Sequence, residues 1–137
     1  MNTFLLDAGV WIAASDSSDR FHEAAKAIVF DFDQPVAALD LTLHEIANVI
    51  GARDHEPHEA RYMAELLVKR CGGERLVAGN PALVEAASSI ANEEGLTAYD
   101  AAYIAVANSN GWILLSTDIA DLVSKGHALA PDAALYP

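Results

Sequence analysis

Sulfur and positive charge are scarce in this sequence. A single cysteine, Cys71, excludes an internal disulfide and suits a reducing compartment. Eight residues are Lys or Arg, only three of them Lys, against twenty Asp and Glu, for a formal net charge of −12. Such a chain repels polyanions at long range, because phosphate binding normally rests on Lys and Arg. Two readings follow: the protein avoids polyanions, or some carboxylates are held as a cation site, which reverses the local field. A salt-adapted host is a third, independent source of the acidic bias. No apolar run approaches the ~20 residues of a membrane-spanning helix. The start, Met1-Asn2-Thr3, lacks the basic opening of a signal peptide, so a cytoplasmic protein is expected. No Gly-x-Gly-x-x-Gly or Walker loop occurs, which leaves a nucleotide-binding role unsupported.

What is present suffices for one domain, residues 1–137, with 53% hydrophobic residues to build its core. Strand and helix patterns alternate. Thr3–Leu6 reads as a strand, Val10–Ala14 as a brief helix, and Arg20–Phe30 as an amphipathic helix after the loop "DSSD". Pro35 leads into a second strand, Val36–Leu39, and "TLHEIANVIGA" follows as a helix with Leu43, Ile46 and Ile50 on one stripe. Pro57–Arg70 is a helix stopped by Gly72-Gly73. "RLVAG" and "WILLS" are strands, separated by helices opening at Asn80-Pro81 and at Thr97. "TDIADLVSKG" reads as a short helix, and the tail "HALAPDAALYP" as a final edge strand. This alternation implies an α/β sandwich around a mostly parallel sheet flanked by helices.

Ligands of open parallel sheets bind at the carboxyl ends of the strands. Four acids fall there. Asp7 closes the first strand, Glu45 lies one turn into the helix after "VAAL", Asp118 follows "WILLS", and Asp100 opens its own helix. Each of three has a plainer explanation. Thr42-x-x-Glu45 and Thr97-x-x-Asp100 match a capping box, and Asp118 suits a helix N-terminus. Asp7, followed by Ala8-Gly9, shows no evident capping duty. Four carboxylates brought together ionise only with a cation among them. Hard oxygen donors without Cys or His select Mg²⁺ or Mn²⁺, which acidify water and clamp a phosphodiester.

The segments "FLLDAGVWIAA", "LTLHEIANVI", "LTAYDAAYIAVA" and "LLSTDIADL", in this order, resemble the signature segments of PIN-domain ribonucleases, especially VapC-type toxins of toxin–antitoxin pairs. The likeness runs from Thr3 to about Leu122, and the third segment is the most specific. It implies a PIN-like three-layer sandwich and a Mg²⁺- or Mn²⁺-dependent endoribonuclease held inactive by a VapB-like antitoxin, acting as a homodimer. It also implies that Asp7, Glu45, Asp100 and Asp118 are the catalytic and metal-holding acids, with Asp7 and Asp100 nearest the metal. Asn48 and Ser116 match supporting polar positions. Gly9 departs from the pattern, which more often has Ser, Thr or Asn there.

Among the few bases, Arg20, Lys26 and Arg53 come from segments that could flank the acids and touch RNA backbone; ordinary solvated surface is their plainer use. Leu66, Leu67, Val68 and the Ala-rich faces suit packing inside the monomer or against a partner. His55-Glu56-Pro57-His58-Glu59 imitates a metal cluster, but Pro57 starts a helix between the two histidines. "IVFDFDQPVA" imitates the aspartyl nucleophile of a phosphatase-like enzyme, yet Asp31 and Asp33 precede a strand instead of closing one. A non-catalytic PIN-like binding module is the remaining alternative.

Overall fold

The computed structural model describes residues 1–136. Strands β1 (Phe4–Leu6), β2 (Val36–Leu39), β3 (Leu76–Val77) and β4 (Ile113–Leu115) form one sheet in the order β3-β2-β1-β4. Every pairing is parallel, with Phe4 opposite Val36 and Ile113, and Leu39 opposite Val77. A parallel strand needs a crossover, and helices supply it between every successive pair. The helices are α1 (Ala8–Ser15), α2 (His22–Val29), α3 (Leu41–Ile46), α4 (Pro57–Cys71), α5 (Pro81–Glu94), α6 (Ala98–Asn110) and α7 (Pro131–Leu135).

Alternate strand residues face opposite sides of a sheet, and here both sides are buried. Leu6, Val36, Ala38 and Leu115 join one core with Trp11, Ile28, Ile46 and Leu67. Leu5, Ala37, Leu39 and Leu114 join another with Tyr103, Ile104 and Val106. The result is the expected three-layer sandwich. Ile46 and Ile50 are buried, as their stripe requires, and so are Leu66 and Leu67, while Val68 stays 47% exposed.

Helix ends follow local chemistry. Asn80 and Thr97 accept N–H bonds as caps of α5 and α6, and Gly95 and Gly111 end those helices with φ of 66° and 68°, the left-handed region that glycine enters without strain. Three expectations are corrected. First, α1 begins directly after β1 instead of at Val10, because the Asp7 side chain accepts from Val10 N–H and caps it; Asp7 therefore does have a capping duty. Second, the helix after β2 starts from Asp40 and widens into a π-helical segment, Ala47–Arg53; Ile119–Val123, after β4, is also π-helical. Third, the tail contributes one parallel bridge, Leu115 with Leu129, and then turns helical at Pro131, which suits a first helical position. Pro137, the end of the expected edge strand, lies outside the described residues.

The decoy stretch sits at the opposite edge of the sheet from the strands' carboxyl ends. Pro35 precedes β2 and its carbonyl accepts from Phe4 N–H at 3.1 Å. Asp31 and Asp33 are exposed, and the turn holding them is organised by Arg70. The Arg70 guanidinium, buried beneath it, donates to the carbonyls of Ile28, Val29, Asp31 and Gln34. A hydrocarbon replacement removes the guanidinium donors from all four carbonyls, of which Ile28 and Asp31 keep a backbone N–H, so Arg70→Met should lower stability by about 2–4 kcal/mol. Asp31→Asn, at the exposed turn, should change it by less than about 0.5 kcal/mol. Urea unfolding of both variants measures the contrast.

Candidate active site

The strand order runs from β1 outward to β2 and β3, and β4 pairs on the other side of β1. The carboxyl ends of β1 and β4 thus mark the point where connections diverge, which is where open α/β sheets form a crevice. Asp7 N–H donates to Leu115 C=O at 3.1 Å, continuing the pairing of those strands by one residue. The residue is 8% exposed. Oδ1 accepts from Val10 N–H at 3.2 Å, and Oδ2 accepts from the Ser116 hydroxyl. Ser116 Oγ in turn accepts from Asp118 N–H at 2.9 Å, which fixes the hydroxyl's direction: its one proton points to Asp7. Burial pushes the Asp7 carboxyl up to about 7, against the pull of the Ser116 and Val10 bonds, with the charges of Glu45 and Asp100 adding to the rise.

Glu45, on α3, is not a capping-box partner. Asp40 stands at the N-cap position, and the Thr42 hydroxyl is buried against Tyr103 Oη at 2.6 Å. Tyr103 Oη also reaches Glu45 Oε1 at 3.4 Å. Burial raises the Glu45 carboxyl, the Tyr103 bond opposes this, and the Asp100 charge adds to it. Asp100 lies in the first turn of α6, where its N–H donates to the Thr97 cap at 3.2 Å. That capping leaves its carboxyl facing the other acids: burial raises it first, then the charges of Asp118 and Asp121. Asp118 does carry the capping role expected of it, accepting from Asp121 N–H at 3.0 Å.

All four acids are therefore within electrostatic reach of at least one other. Among the described residues, however, no three His, Cys, Asp or Glu side chains stand close enough together to form a ready-made ion cage. The donor chemistry still fits a hard divalent cation, because the set is all carboxylate oxygen. Closing on one requires rotation of Glu45, Asp100 or Asp118 toward the fixed Asp7.

Asn48 lines the cleft beside Glu45, together with Leu41, His44 and Tyr99. The three candidate bases have other neighbours. The Arg20 guanidinium stands 4.5 Å above the Phe21 ring, Arg53 pairs with Asp54 at 3.8 Å, and Lys26 is exposed on α2. None forms an ion pair with the four acids among the described residues. Sequence reasoning missed Tyr103, Thr42 and Asp121. Tyr103 lies three residues after Asp100 and so shares its helical face, and Asp118-x-x-Asp121 repeats an acid at the same spacing. Thr42 carried a signal, but its capping pattern pointed elsewhere.

The PIN domain family model matches residues 4–122. No curated protein shows significant sequence similarity to the chain. Among solved structures, PAE2754 from Pyrobaculum aerophilum is 24% identical with a TM-score of 0.72, over 98% of this chain and 87% of that one. A toxin–antitoxin complex from Klebsiella pneumoniae gives 19% and 0.70, over 93% and 96%. VapC20 of Mycobacterium tuberculosis, a sarcin-ricin loop cleaving toxin, gives 19% and 0.67, over 90% and 95%. At these identities the structures show a shared fold. The family match covers most of the chain, together with all four acids, and the protein belongs to the PIN domain family.

Proposed function

We propose that this PIN-domain protein is a Mg²⁺- or Mn²⁺-dependent endoribonuclease and the toxin of a type II toxin–antitoxin pair. The observation that supports the reading is the chain of electrostatic influence that links Asp7, Glu45, Asp100 and Asp118, which come from four separate segments. The structural neighbours support it, since one is an RNA-cleaving toxin and another a toxin–antitoxin complex. Asp7 and Asp100 would hold a divalent cation, with Glu45 and Asp118 completing the oxygen set; the cation would supply charge balance for the carboxylates, a more acidic water and neutralisation of phosphodiester charge. Ser116 keeps Asp7 in one orientation, and Tyr103 keeps Glu45 turned toward the cleft. Arg20, Lys26 and Arg53 are the candidates for RNA-backbone contacts.

An antitoxin would serve this protein by placing a basic side chain among acids that have no basic partner. An apolar groove lined by Leu39, Leu41, Leu83, Val84 and Tyr99 adjoins the cleft, with Val84 and Tyr99 67% and 66% exposed, and offers an antitoxin helix a seat next to the acids. A homodimer and a cytoplasmic location complete the proposal.

The first test is RNA cleavage. The wild type should cut RNA with Mg²⁺ or Mn²⁺ and stop in EDTA, and Asp7→Asn or Asp100→Asn should lose at least ~100-fold, the scale of removing one acid–base group. Cleavage that persists in EDTA contradicts the mechanism. Activity unchanged in Asp100→Asn favours a non-catalytic module, and activity lost only in Asp31→Asn or Asp33→Asn favours the phosphatase-like alternative.

A second test reads stability. The folded Asp7 carboxyl titrates near 7 against an ordinary 3.8. The folded state therefore binds the extra proton between those values, and the stability this contributes is present at low pH and lost as pH rises toward neutrality. In EDTA, thermal unfolding at about pH 5 and about pH 8 should show the wild type falling relative to Asp7→Asn as pH rises. Added Mn²⁺ should recover the wild type at the higher pH and leave Asp7→Asn unmoved.

A further inference from the structure

Gly9 is the second residue of α1. Its φ is not positive, unlike those of Gly73, Gly95, Gly111 and Gly126, so backbone conformation does not call for glycine. Inside a helix, glycine costs about 1 kcal/mol relative to alanine. Space explains it instead: a Cβ on Gly9 would overlap Thr117 Oγ1, and would stand 3.4 Å from Thr117 Cβ and 3.3 Å from Asp7 Oδ1. The Thr117 hydroxyl occupies the place of a side chain at position 9, and it does so on the Asp7 side of the helix start.

The two neighbours of Thr117 spend their side-chain oxygens inside the protein. Ser116 bonds Asp7, and Asp118 caps the turn that follows. Thr117 Oγ1, on a half-buried residue, has no hydrogen-bond partner among the described residues. A hydroxyl so placed carries one free donor and free lone pairs, and it borders the same Gly9 space as Asp7 Oδ1, the carboxylate oxygen whose only protein donor is a 3.2 Å backbone N–H.

We infer that Thr117 is a positioning residue of the acid site. Its hydroxyl, lodged over Gly9, shares with Asp7 Oδ1 the task of orienting the hydration shell of the divalent cation. The inference rests on the cation reading of the four acids. It assigns a function to a pair of positions, glycine at 9 and hydroxyl at 117, that neither explains alone. The pair is exchangeable in principle: with Thr117 reduced to alanine, its remaining Cβ lies 3.4 Å from a Cβ at position 9, Asp7 Oδ1 at 3.3 Å has to give by a few tenths of an ångström, and a serine at position 9 can turn its hydroxyl into the vacated space.

The test measures Mn²⁺ affinity by titration, alongside thermal unfolding in EDTA, on the full chain. Thr117→Val, the isostere without the hydroxyl, should bind Mn²⁺ roughly 10-fold more weakly, the lower end of losses on removing an outer-shell partner. Its unfolding temperature in EDTA should match the wild type, and Thr117→Ser should bind as the wild type does. The double variant Gly9→Ser/Thr117→Ala should recover affinity to within about 3-fold, since it restores the outer-shell hydroxyl. Wild-type affinity in Thr117→Val, or no recovery in the double variant, overturns the inference while leaving the acid site standing. A wild type that binds no Mn²⁺ overturns both. If Thr117→Val fails to fold, Thr117→Ala alone against the double variant decides the same point.

Discussion

The hydrogen bond from Ser116 to the buried carboxylate of Asp7 is the interaction on which the site depends. It joins the ends of β1 and β4, which meet at the sheet's divergence point, and it points the hydroxyl's only proton at a buried acid. The same carboxylate caps α1 through Val10. One side chain therefore closes a strand, starts a helix and presents charge to a crevice. Glu45 is held more loosely, through Tyr103 and Thr42; Asp118 Oδ1 accepts from Asp121 N–H, and Asp100 is anchored by its own backbone N–H donating to Thr97. This gradient from fixed to adjustable acids suits a site that closes around a cation.

The electrostatics are unfavourable by construction. Carboxylates with raised pKa values crowd one edge of a protein already at −12, and no base is paired with them among the described residues. A fold tolerates such local conflict where function requires it. Burial and mutual repulsion of these acids weigh against the ion-free protein, and the proposed cation would remove the conflict. In that proposal an acidic protein would act on a polyanion because phosphates would meet the cation's charge first, with the carboxylates spent on holding it.

Much of this was legible in the sequence, for physical reasons. The rule that ligands gather at strand carboxyl ends selected Asp7 and Asp118 and rejected Asp31 and Asp33, and the strand positions agree. Helix stops at Gly95 and Gly111 and starts at Asn80 and Thr97 could be read because each is settled within four residues. What failed was decided at longer range. Thr42 matches a capping box locally, but Tyr103, 61 residues away, takes its hydroxyl. Asp7 caps α1 because its backbone still pairs with Leu115 of β4 while its side chain turns to Val10 N–H, a fact no local pattern holds. Arg70 stands in the sequence only as the end of a helix, and the four carbonyls of a distant turn that draw it inward lie about 40 residues away. The reason for Gly9 lies at Thr117, which the sequence separates by most of the chain.

The central claim is that the four acids share one cation. Crystals grown with Mn²⁺ and measured for its anomalous scattering test it most directly. The account predicts one strong peak at about 2.1 Å from carboxylate oxygens of Asp7 and Asp100, with Glu45 and Asp118 turned toward it. A peak confined to the other acidic recess, lined by Asp16, Asp54, Glu56 and Glu59, or none under saturating Mn²⁺, would contradict it.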